Sequence, residues 1–498
     1  MYVTLHFDVE DTVCPVEART DDAPAWLAQT MSKAGLRGTF HVLGDKARAM
    51  VQRGRLDVLA AMAEHDIGIH TDSNAHPVVP EIVEQCGWDD GVEKLLGYEA
   101  RAADALKKAF WKAPVATSRH AVFTSPQSHG AAAAMELPYV YSYARWPGYA
   151  GPVWYAGALS FPTHTGTPEA PGCHLSLGLQ AELCHNDAFE EKMRLLREGL
   201  DRALAAGVEC LSLFVAHPVR IHVKGWTEDE LYANGRNRTV AQVGYAYELR
   251  AQAELDRARQ NFQRFCEYLR ARDDIQVVGI ARAAELFGQQ GATISRDTLL
   301  DYCAAKEDAG HPRLHPVFSP AELVVALADA LVVGEGRGAL PRSVERRDVL
   351  GPVEKPVLTP EKPFVSREEF LGLCRELVGQ AEETGHLPAN LALGDARVGL
   401  GSLHAACVAA FRAACSGEQL ARMRLQRVPR YPAFAHELDR AMRWTEECGF
   451  LGPEFSADKL CLHARLQTWS LKPARTRIPS GPCLEAGAFV PSGLVAKE

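Results

Sequence analysis

Three short stretches of the chain place acid–base and metal-binding side chains where strand-like runs stop. HFDVED carries Asp8, Glu10 and Asp11. GIHTDSNAHP carries His70 and His76, with only small or polar residues between them. FVAHP carries His217. Two imidazoles and a carboxylate make a facial ligand set for a divalent ion and leave positions open for water and substrate. Such an ion lowers the pKa of bound water and polarises a carbonyl oxygen. A second carboxylate nearby can act as general base and a third histidine as general acid. Taken singly, the same residues have plainer uses. An aspartate at a strand end is often a turn former or a cap, a loop histidine is usually solvated, and His217 before Pro218 suits a core position. The chemical reading rests on all three stretches falling at strand ends.

These stretches share a pocket only if the fold gathers their strand ends. Within residues 1–290, Tyr2–Val9, Arg37–Gly44, Asp66–Thr71, Val208–Pro218 and Ile275–Ile280 read as strands. Ala23–Gly35, Asp45–His65, Val92–Phe110, Asp187–Ala206 and Tyr245–Arg270 read as helices, the last with Phe262, Phe265, Cys266 and Leu269 at core spacing. Trp111–His185, rich in Pro, Gly and aromatics, gives no clear order. The alternation predicts a parallel sheet with helices outside it, as a complete or incomplete β/α barrel. Ligand sites in such folds lie at the carboxyl ends of strands. Side chains alternate along a strand, so Asp8 and Glu10 face one way and Val9 and Asp11 the other. Asp8 and Asp11 meet in one pocket only if the chain turns or bulges near Val9–Glu10. A regular strand instead pairs Asp8 with Glu10.

From about Gly291 the β-branched runs give way to short helices between Pro/Gly-rich connections. Phe318–Pro341 aligns with Val365–Pro388 at a constant offset of 47, which matches Ser319 with Ser366, Glu322 with Glu369 and Leu340-Pro341 with Leu387-Pro388. Each copy opens Ser-x-x-Glu, a helix-start signature. The expectation is a small all-helical repeat module over 291–473, with repeats near 318–360 and 365–415, a degenerate third copy over 431–470 and a flexible tail over 474–498.

The 498 residues, 47% hydrophobic and 23% charged, suffice for more than one domain around a sizeable core. A net charge of −9 without a basic stripe argues against a nucleic-acid partner, and no segment looks membrane-spanning. MYVTLHFDVED lacks the charged and apolar regions of a signal peptide. Thirteen cysteines form no CxxC pair, so reduced thiols in a cytoplasmic protein are expected.

Residues 1–290 resemble the polysaccharide deacetylase (NodB-homology) superfamily, carbohydrate esterase family 4. HFDVED stands beside the family's Thr-Phe-Asp-Asp-Gly, and GTFHVLGDKA (Gly38–Ala47) beside its Ala-Thr-Phe-Phe-Val. EHDIGIHTDSNAHP (Glu64–Pro77) resembles Gly-His-Glu-Ile-Gly-Asn-His-Ser/Thr-x-x-His-Pro, and SLFVAHP (Ser212–Pro218) the late Leu-His motif. The resemblance implies a distorted β/α barrel and a metal-dependent hydrolase, zinc being the default ion, that removes an acetyl group from an N-acetylated sugar or a related amide. It implies Asp8 as general base and His217 as general acid. It also implies His70, His76 and Asp11 as metal ligands, with Glu10 the rival of Asp11; the family usually spaces its two histidines four apart. The partner implied is an acetylated carbohydrate or small amide, with no nucleic acid and no membrane. Arg119 lies at about the place of the family's arginine motif. The 318–453 repeats loosely resemble pseudomurein-binding repeats, which implies a helical binding module. The departures at the first two motifs keep a second reading open, an inactive barrel serving as a sugar-binding or scaffold protein through its C-terminal repeats.

Overall fold

The structure, a computed structural model, describes residues 1–476 except 120–123, 147–148, 167–171, 227, 245–246, 305–314, 360–361, 429 and 433–441. The alternating half of the sequence builds one sheet. Its strands are β1 (Tyr2–Val9), β2 (Thr39–Val42), β3 (Asp66–Ile69), β4 (Ala116–Ser118), β5 (Tyr139–Ser142), β6 (Val153–Tyr155), β7 (Ala158–Pro162), β8 (His174–Ser176) and β9 (Cys210–Ala216). After a separate ladder of β10 (Val223–Lys224) and β11 (Glu248–Leu249), β12 (Gln276–Val278) joins it. From β5 the order runs β4, β3, β2, β1, β9, β8, all parallel. β1 is flanked by β9 on one edge. On the other it is flanked by β12 along Tyr2–Thr4 and by β2 along His6–Val9, so its neighbours splay.

The sheet curls into an open half-barrel. Tyr141 on β5 and His174 on β8 lie at opposite ends of that parallel run, yet their rings are 6.0 Å apart across the concave face. The alternation along β1 decides what each face receives. Val3, Leu5, Phe7 and Val9 are buried in a core with Leu27, Met31, Phe40, Phe262 and Phe265, beneath the helices Asp22–Lys33 and Gln252–Ala271. Each such side chain contributes about 1.5–3 kcal/mol when fully buried. Thr4, His6 and Asp8, on the opposite face, are left to line the concavity.

The second half is not all helical. Three antiparallel two-strand ladders join its helices: β13 (Thr293–Ser295) with β14 (Ser343–Glu345), β15 (Lys362–Ser366) with β18 (Arg422–Leu425), and β16 (Asn390–Leu393) with β17 (Ala396–Gly399). Strands of three to five residues are too short to leave a two-residue periodicity in the sequence. The helix-start signatures do form. Ser319 and Ser366 accept from the backbone N–H of Glu322 and Glu369, and both glutamates reach back to the cap N–H. Both helices, Pro320–Arg337 and Arg367–Thr384, end on glycines at φ 70°, Gly338 and Gly385, a left-handed conformation that costs glycine little. The described cysteines are free thiols. Part of the expected third copy (433–441) and most of the expected tail (477–498) lie outside the described residues.

The chain then returns to the barrel. The helix Asp458–Gln467 places Leu460 and Cys461 in a cluster with Trp88 and Tyr98, and β19 (Lys472–Pro473) pairs with β6 as the last strand of the main sheet. Residues 472–473, expected to close the module, therefore belong to the barrel sheet. Lys472 is 4% exposed; its ammonium pairs with Glu322, which also holds Arg346 at 2.7 Å. Removing one partner of a buried pair leaves the other charge uncompensated, at a typical cost of about 3–5 kcal/mol. Glu322→Ala should lower unfolding stability by that amount in urea titration. An unchanged midpoint would mean that Lys472 gains another partner.

Candidate metal centre

β1 runs without a turn at Val9, so Asp8 and Glu10 come out on the same side, both buried. His70 follows β3 directly. Its Nδ1 meets Ser118 Oγ at 2.8 Å, which turns Nε2 toward the acids. Nε2 lies 2.5 Å from Glu10 Oε1 and 3.9 Å from Asp8 Oδ2. His217 enters from the end of β9, its Nε2 3.9 Å from Asp8 Oδ2 and 3.8 Å from Glu10 Oε2. One ligand atom each from Asp8, Glu10 and His70 fall within 4.8 Å of one another.

Two carboxylates this close in a buried place cannot both stay ionised without compensation. Burial first, and the charge of Glu10 after it, push the Asp8 carboxyl up to about 7 against the opposing pull of His70. Burial alone lowers the His70 imidazole, but Asp8 and Glu10 outweigh it and the net shift is upward.

The structure does not bring Asp11 or His76 to this group. Asp11 closes a turn: Oδ1 accepts from the backbone N–H of Val13 and Cys14 at 3.2 and 3.0 Å, and Oδ2 accepts from the Thr20 hydroxyl at 2.6 Å. Buried Lys46 lies 3.7 Å away. The strand ends at Val9, and two residues on the chain turns Asp11 into these local contacts. His76 has both ring nitrogens engaged, Nδ1 with Glu81 and Nε2 with the carbonyl of Tyr232, each at 2.7 Å. Its imidazole ties the polar loop to a distant segment. Arg119 pairs with Glu99 at 3.1 Å, both side chains buried.

Tyr141 at the centre and Asn74 in the loop after His70 were not singled out in the sequence. Glu10 stood only as a rival ligand, and parity was the signal for it. Asn74, four residues after His70, is buried with its Oδ1 unpartnered. Tyr141 projects into the concavity, its ring 5.7 Å from His6 and 5.6 Å from His41. Its φ of 65° is left-handed, in a strand whose register with β7 slips between Val140 and Ser142. Such a conformation costs a residue with a Cβ roughly 1–2 kcal/mol. Beneath the acids, His6 Nδ1 meets His41 Nε2 at 3.0 Å. Burial, with His174 nearby, lowers His6 to about 3, and burial lowers His174 to about 4, so both are neutral at pH 7.

No family model matches the chain, and no curated protein matches it in sequence. Solved structures do match it in three dimensions, over a little more than half its length. A family 4 acetyl xylan esterase from Clostridium thermocellum, in complex with a cobalt ion, is 13% identical, with 58% of this chain and 92% of that one covered and a TM-score of 0.28. The peptidoglycan deacetylase PdaC from Bacillus subtilis is 11% identical over 57% of this chain and 90% of that one, with a TM-score of 0.28. Puue allantoinase is 13% identical over 57% and 90%, with a TM-score of 0.34.

The residues present fit a divalent ion on their own chemistry. Two carboxylates and an imidazole are hard-to-borderline donors of the kind that zinc and its first-row neighbours accept. The buried Asp8 Oδ1 has no hydrogen-bond partner, so the group has acceptor capacity that the protein itself leaves unused.

Proposed function

We propose that the chain is a metal-dependent hydrolase that removes an acetyl group from an N-acetylated sugar or a related amide. The observation that carries this reading is the convergence of Asp8, Glu10 and His70 within 4.8 Å, with His217 3.8–3.9 Å from both acids. Glu10 and His70 would hold the ion, zinc by default, with Asp8 at the third corner of the group. A divalent ion there would supply Lewis acidity toward water and the acyl oxygen. Asp8 takes the proton from the attacking water. Beside a divalent ion its carboxylate would be ionised and free to accept that proton. His217, whose side chain is 17% exposed, protonates the leaving amine. Its ring is held between Phe214 at 5.0 Å and the buried Trp226 at 5.9 Å. The sugar itself comes from the sequence resemblance.

Asp8→Asn tests the reading. Acetate release from zinc-loaded protein given N-acetylated oligosaccharides should fall by about 10²–10⁴-fold, the usual worth of general-base catalysis, while bound zinc stays at the wild-type level. Zinc lost together with activity would make Asp8 a ligand rather than the base. A wild-type chain that binds no zinc and releases no acetate would favour the scaffold reading.

A further inference from the structure

Two buried polar atoms at the centre lack a hydrogen-bond partner and complement each other. One is the Tyr141 hydroxyl, a donor; the other is Asp8 Oδ1, an acceptor. The phenol points at the Asp8 carboxyl and already favours its ionised form, but the contact is too loose to count as a formed hydrogen bond. Oδ2, on the far side of the carboxylate, faces His70 and His217 at 3.9 Å each. The ring is fixed from four sides, by His6 at 5.7 Å, His41 at 5.6 Å, His174 at 6.0 Å and Phe214 at 6.1 Å. Tyr141 itself has a left-handed backbone beside a register slip, a local strain of the kind that gathers at functional sites. Buried donors left unpaired are rare and costly. Catalytic hydrogen bonds are often long in ligand-free structures and close when the site is filled.

We propose that Tyr141 is a positioning residue, which donates its phenolic proton to Asp8 Oδ1 when the site is filled and so fixes Oδ2 toward the water. This rests on Asp8 as the base, and it adds the device that orients it.

Tyr141→Phe removes only the hydroxyl. In zinc-loaded protein acting on an N-acetylated oligosaccharide, kcat should fall by about 10–100-fold, the usual cost of losing an orienting partner, with KM and bound zinc little changed. A second measurement needs no turnover. In zinc-loaded protein carrying tyrosine labelled with ¹³C at Cζ, the Tyr141 resonance, identified by its absence in Tyr141→Phe, should shift when Asp8→Asn is introduced. An unmoved resonance, or a Tyr141→Phe variant with wild-type kcat, overturns the proposal. A wild-type chain without activity whose Tyr141 resonance does respond to Asp8→Asn would remove the hydrolase reading and leave the Tyr141–Asp8 pairing in place.

Discussion

Glu10→Gln is expected to strip the centre of its metal, and Asp11→Asn to leave it loaded. Glu10 Oε1 and His70 Nε2 are in direct hydrogen-bond contact at 2.5 Å, and a small parting to about 3 Å would let one ion take both atoms as ligands. An amide keeps the shape of the carboxylate but offers a neutral oxygen, a poor exchange for an anionic donor. The affinity loss should exceed the roughly 10–100-fold that follows loss of an outer partner. Asp11 has different work. It holds two backbone N–H groups and the Thr20 hydroxyl. Its Lys46 neighbour keeps a closer partner in Asp21, at 2.5 Å. Asp11→Asn can still accept from Val13 and Cys14 through its remaining oxygen, while its NH₂ faces Thr20 and Lys46. The expected result is a stability loss of about 1–3 kcal/mol with zinc stoichiometry unchanged. Zinc binding by the two purified variants, followed by equilibrium dialysis, checks both halves. Zinc lost from Asp11→Asn alone would restore Asp11 as the acidic ligand.

That pair of variants also marks where the sequence was legible. Asp8, His70 and His217 were placed at strand ends by patterns extending over whole elements, and the structure gathers those three. The choice between Glu10 and Asp11 turned on a single backbone detail, a bulge or none, which alternation framed but could not decide. His76 was less legible still. A polar loop histidine looks the same whether it holds a metal or ties a loop. What separates the cases is a carbonyl 156 residues away, that of Tyr232. The same limit hid β19, whose two residues pair with β6 and carry no local periodicity. It also hid β5, where a tyrosine reads as an ordinary strand former and the left-handed turn of its backbone leaves no mark in residue type. The capping boxes at Ser319 and Ser366 were readable because all their parts lie within four residues.

Acid should unfold the metal-free protein steeply. Burial lowers His6 and His129 to about 3, and His174, His222 and His315 to about 4. At His315 the hydrogen bonds demand the neutral ring as well. His315 Nδ1 accepts from the backbone N–H of Val317 and Phe318 at 3.2 and 3.1 Å, which a protonated nitrogen cannot do. His129 stacks on Tyr139 at 4.0 Å, with its two nitrogens committed to Ser125 and Ser142. An unfolded histidine takes its proton near pH 6.5. Below that pH the unfolded chain therefore binds protons that the folded chain refuses, and stability falls with pH until the folded values are reached. Asp8 and Glu99 act in the opposite sense. Burial raises both to about 7, so between there and about pH 4 the folded state is the one that holds their protons. Among these seven groups, five imidazoles against two carboxyls leave an excess of three protons on the unfolded chain near pH 5.5, and the buried His41, also held well below its ordinary value by burial, adds in the same sense. At about 1.4 kcal/mol per proton per pH unit, the slope is on the order of 4 kcal/mol per unit. A typical total stability of about 5–15 kcal/mol would largely vanish within two or three units below neutrality. Urea midpoints of chelator-treated protein at pH 7.5, 6.0 and 5.0 should drop progressively. Midpoints that stay level over that range would mean that these imidazoles are already charged, or open to water, in the folded state.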